Sequence, residues 1–138
     1  MGWWKRERPQ EDDRADAETL RARRRAAAAV RHHLACAGLP VLPDGMAAGY
    51  GPGAVVWVDL RREAEGAGVW IGWGVAPVVN AYRRRDGAEE GALAEKFARE
   101  VVEAMSGAMR DVLAAAGFGA TVILSANLDY TVRVVTAA

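Results

Sequence analysis

Three side chains of metal-ligand or nucleophile type fall close together: His32, His33 and Cys36. His32 and Cys36 are one helical turn apart, so a helix would place them on one face. A structural zinc site takes four ligands and a catalytic one three. The chain holds no other Cys or His, so only carboxylates could complete a set. Cys36 also ends a helical stretch, where the dipole opposes a thiolate. These residues read as a solvated His pair beside a buried thiol, with no metal site and no cofactor.

Other chemistries are thinly supplied. Ser106 and Ser125 are the only serines, and neither lies in a nucleophile elbow. Gly49-x-Gly51-x-Gly53 has the look of a phosphate-cradling loop, but such loops follow a strand and open a helix. This one precedes a strand and contains Pro52, which has no amide to donate. Asp44, Asp59, Glu63 and Glu65 offer carboxylates for acid–base work, yet their spacing forces no two together. Asp59 interrupts an apolar strand and, if buried, needs a partner such as Arg61 or Tyr82. No catalytic set assembles.

Binding chemistry is easier to find. Arg23, Arg24 and Arg25 form one basic cluster and Arg83, Arg84 and Arg85 a second, both candidate anion contacts. The first fans around a helix; the second precedes one. Eighteen basic residues balance eighteen acidic ones, so no global field draws the chain to nucleic acid or to an anionic membrane. Trp3-Trp4-Lys5-Arg6 pairs interfacial aromatics with cations, as peripheral membrane anchors do. A docking arm that seats Trp3 and Trp4 in a groove is the preferred reading.

At 138 residues, 51% apolar and 26% charged, the chain fits one folded domain able to bury about 70% of its extended-chain surface. A single cysteine excludes an internal disulfide and suits a reducing compartment. The charged N-terminal stretch reads as no secretory signal, and no apolar run approaches the roughly 18 residues of a membrane span. A cytoplasmic location is expected.

The elements come in a doubled pattern. Leu34-Ala35-Cys36-Ala37-Gly38-Leu39 and Leu113-Ala114-Ala115-Ala116-Gly117-Phe118 both read as helix ends stopped by a left-handed glycine, with an apolar residue folding back. The first helix is capped by Asp13 or Asp16. Its stripe Leu20, Ala27, Val30, Leu34 and Ala37 faces a core, and its arginines mostly face water. Residues 54–60 and 68–75 form a hairpin, and 77–82 add an optional edge strand. The second helix spans about 88–116, with Leu93, Phe97, Val101, Met105, Val112 and Leu113 facing the core and Gly107 permitting a close backbone approach or a kink. Residues 120–125 and 129–135 form the second hairpin; if Leu124 opposes Tyr130, then Val122, Val132 and Val134 share their face.

These readings give residues 1–12 as a flexible arm and 13–138 as one α+β domain, helix–hairpin–helix–hairpin, both helices on one face of an antiparallel sheet. That element order resembles the small dimeric secretion-chaperone-like domains, a resemblance of order that carries no residues across. The first hairpin has no polar side, because apolar residues occupy both parities. Trp57, Trp70, Ile71 and Trp73 are therefore expected to form a protein-partner or homodimer surface. The leading expectation is a non-catalytic binding or assembly module. Two alternatives are a small anionic-ligand binder or enzyme, with a pocket between the Gly-rich loop and Arg83–Arg85, and a nucleic-acid binder using the Arg clusters.

Overall fold

The computed structural model describes residues 13–43, 51–75, 89–125 and 130–138. The arm at 1–12 with Trp3 and Trp4, the optional strand at 77–82 and the cluster Arg83–Arg85 lie outside the described residues. Two helices and a four-stranded antiparallel sheet make the expected α+β class. In chain order they are α1 (Ala17–Cys36), β1 (Gly53–Val58), β2 (Val69–Gly74), α2 (Glu89–Ala115), β3 (Gly119–Leu124) and β4 (Tyr130–Thr136). The strands lie in the order β1-β2-β4-β3.

Both helices end as the glycine signal predicts. Gly38 and Gly117 adopt φ of 86° and 94°, conformations that cost a residue with a Cβ. The next amide then folds back: Leu39 N donates to the Leu34 carbonyl at 3.1 Å and Phe118 N to the Leu113 carbonyl at 2.9 Å. At the other end of α1, Asp16 is the cap, and its carboxylate accepts from Thr19 N at 2.7 Å.

Register settles which face each tryptophan takes. Trp57 stands opposite Trp70, and Ala54 opposite Trp73. Paired numbers therefore sum to an odd value, and Trp57 and Trp70 share one face while Ile71 and Trp73 share the other. One row across the sheet reads Val56, Ile71, Val132 and Val122. It packs against Val30 and Leu34 of α1 and Met109 and Leu113 of α2 in a single core. In the second hairpin Leu124 does oppose Tyr130, as the alternation requires.

The basic face of α1 differs from expectation. Arg24 and Arg25 are exposed, but Arg23 is buried. Its guanidinium Nη1 donates to the carbonyls of Asp59 at 2.6 Å and Arg61 at 2.7 Å. Arg31 also reaches the sheet, donating to the Val56 carbonyl at 3.0 Å. Asp59 itself is buried and takes Arg61 as its partner, through Nη2 at 2.8 Å and Nε at 3.1 Å. Gly68 closes the same turn with φ of 71°, and a Cβ there would run into the Arg23 side chain.

Two outcomes follow. Arg23→Met leaves two carbonyls without their donor and lowers the unfolding free energy by about 1–3 kcal/mol, whereas Arg24→Met changes it by less than about 0.5 kcal/mol; urea denaturation of both reads the difference. The hydrogen bond from Thr19 N, then that from the Thr19 hydroxyl, lowers the Asp16 carboxyl below its usual 3.8. A lowered folded value stabilises the protein fully above the unfolded value and is lost as pH falls through the folded one. The stability gap between wild type and D16N should therefore narrow as the pH drops below about 4.

Candidate interaction surface

The two edges of the sheet are finished differently. On the outer side of β1, Ala54 N donates to the Pro40 carbonyl and its own carbonyl accepts from Leu42 N, both at 2.8 Å. Val41 thus bridges Ala54 in parallel, and Arg31 occupies the next outward carbonyl, that of Val56. That edge is covered at Ala54 and at the Val56 carbonyl. At the other side β3 pairs only with β4, and among the described residues no backbone bond reaches its outer side. Its sequence, Gly-Ala-Thr-Val-Ile-Leu, carries none of the charges or prolines that usually protect an edge.

Beside this open edge, α2 contributes a mixed-charge flank. Lys96, Arg99, Glu100 and Glu103 join Leu124 and Tyr130 around an open groove of about 220 Å³. Lys96 and Glu100 form a loose ion pair at 3.9 Å. Leu124 is 50% exposed, and in the second and third turns of α2 Leu93 is 64% and Phe97 55% exposed. Leu93 and Phe97 therefore leave the core that the helical band assigns to them. Along α2 the core side runs through Ala98, Met109 and Leu113, and these two residues fall outside that arc. The periodicity signal was too broad to separate them, because alanine fills much of the helix.

The first hairpin offers less surface than its sequence suggests. Ile71 is fully buried and Trp73 is 8% exposed, both in the core with the helices. Trp70 faces the opposite side yet is only 7% exposed. It stacks on Trp57 with centroids 6.4 Å apart and planes 11° from parallel, and the Arg133 guanidinium lies 6.0 Å above its ring. Arg133 is in turn held by Glu65. Trp70, Ile71 and Trp73 are thus enclosed by the chain itself, and the exposed indole surface expected here shrinks to part of Trp57. Apolar strand sequence reports burial, but not what buries it.

The remaining candidates separate. Of the first Arg cluster, Arg24 and Arg25 stay available to an anion, while Arg23 is committed to the 59–62 turn. Cys36 is exposed rather than buried, and its Sγ lies 3.5 Å from His32 Nε2. The alanines around it give no packing because that side of the last turn faces out. His33 instead meets Phe118 edge to face, with centroids 5.8 Å apart. Among the described residues no three His, Cys, Asp or Glu side chains gather as a metal site would require. Ser106 is fully buried. No helix among the described residues is long and apolar enough to cross a membrane.

Protein-family profiles, curated proteins and solved structures were compared with the chain, and none matches.

The surface assignment predicts unequal costs of truncation. Leu113→Ala, fully enclosed, should lower the unfolding free energy by about 2–5 kcal/mol. Leu124→Ala and Phe97→Ala should each lower it by less than about 1 kcal/mol. Denaturant titration of the three variants separates core from surface.

Proposed function

We propose that this chain is a non-catalytic protein-binding and assembly module that receives an extended protein segment along β3. The observation that carries this reading is the contrast between the two sheet edges, one closed by Pro40, Leu42 and Arg31 and the other left with alternate amides and carbonyls facing outward. Such an edge is a template for main-chain hydrogen bonding. Exposed Leu124 supplies apolar contact at the end of the strand, and the four charges of the α2 flank supply selectivity between partners.

This reading moves the contact surface away from the first hairpin. An added strand would place its side chains alternately beside Val122 on the helix side and beside Thr121 and Ile123 on the other. Main-chain bonds would provide affinity, and the flanking pockets would choose the sequence.

Ile123→Lys puts a charge of the protective type on the edge without opening the core, since Ile123 is only half-buried. In crosslinking capture from the native host, the wild-type chain should retain a defined protein that the I123K variant loses while keeping its melting temperature within a few degrees. Equal capture by the two forms overturns the reading. A thermal-shift screen against anionic metabolites addresses the ligand-binder alternative, in which a ligand at about 100 times its dissociation constant adds roughly 2.7 kcal/mol; such a shift would also overturn it.

A further inference from the structure

We infer that the segment received along β3 is β3 of a second copy, the two copies being related by a two-fold axis normal to the sheet and centred on Val122. This inference rests on the reading of the chain as a strand-adding assembly module. Antiparallel neighbours place opposing side chains on the same face. Around such an axis, each residue of β3 must therefore oppose one of the same parity. Centring on Val122 sets Val122 against its own copy, Thr121 against Ile123 and Ala120 against Leu124. Small meets large, no charges meet, and the half-exposed Leu124 gains cover.

The α2 flank supports the same axis independently. The Phe118 amide is bonded to the Leu113 carbonyl, so the start of β3 is level with that turn of the helix. Val122 lies ~10 Å further along the strand, which corresponds to about seven helical residues back, at Ser106–Gly107. Glu103 and Arg110 are evenly placed on either side of that level. Counting by helical turns, both follow from Arg99 along the flank that borders the groove. In the paired assembly Glu103 of each copy comes within reach of Arg110 of the other, which within its own chain pairs with Asp111 at 3.2 Å. The flank is self-complementary in charge about the axis that the strand requires.

An interface of standard size takes about 800 Å² from each partner, near a tenth of this chain's 8312 Å².

Sedimentation equilibrium of the full chain, alone and at high micromolar concentration, is the test. The wild type should be dimeric. Glu103→Arg and Arg110→Glu, each alone, should weaken the dimer by at least about fivefold, and the double exchange should restore most of that loss. The paired substitutions keep the test decisive even if one variant fails to fold. A monomer at every concentration overturns the inference, and if that monomer still captures an edge-dependent protein, strand addition stands and only the second copy fails. A dimer indifferent to both single substitutions overturns the proposed axis.

Discussion

The pairing of β2 with β4 is the constraint on which the architecture depends. Each helix–hairpin half offers two strands and one helix, too little to enclose an apolar face. Joining β2 to β4 makes Ile71 and Val132 neighbours in one row, and both reach zero exposure between sheet and helices. Met109 and Leu113 of α2 then share a core with Val30 and Leu34 of α1. Without that pairing the two halves would no longer share one core.

A second set of contacts ties the ends of the first half together. Arg23 holds the turn after β1 through two carbonyls, the Asp13 carbonyl accepts from Arg62 N at 2.7 Å, and Ala15 N donates to the Leu60 carbonyl at 2.9 Å. The Arg61 guanidinium is raised in pKa by its hydrogen bond to Asp59 and then by that carboxylate's charge. Arginine suits this task because its planar fork can serve several oxygens without losing its charge. The arrangement makes the stretch from Asp59 to Gly68 a fixed corner.

Much of this was legible in the residues. Glycine stops, strand alternation in the second hairpin and the Asp59–Arg61 pair follow from local chemistry, which acts over a few positions. The register of the first hairpin did not follow, because a seven-residue loop leaves it free and both parities are apolar. Arg23 was hidden among four similar neighbours; only the later turn at Asp59 and Gly68, far along the chain, distinguishes it. Leu93 and Phe97 were misplaced because helical spacing defines an arc without saying how much of it a two-layer fold can cover. The open β3 edge was the least visible, since an open edge is a property of strand order, and strand order is not written in any single segment.

The closed side of β1 has a consequence for growth. A sheet with two receptive margins can recruit copies without limit and become a fibre. Here the strip at 40–42 and the Arg31 guanidinium occupy the outward groups of Ala54 and the outward carbonyl of Val56, so this margin is a poor acceptor of a further strand. Growth by strand addition would be confined to the β3 side, and a fibre needs both.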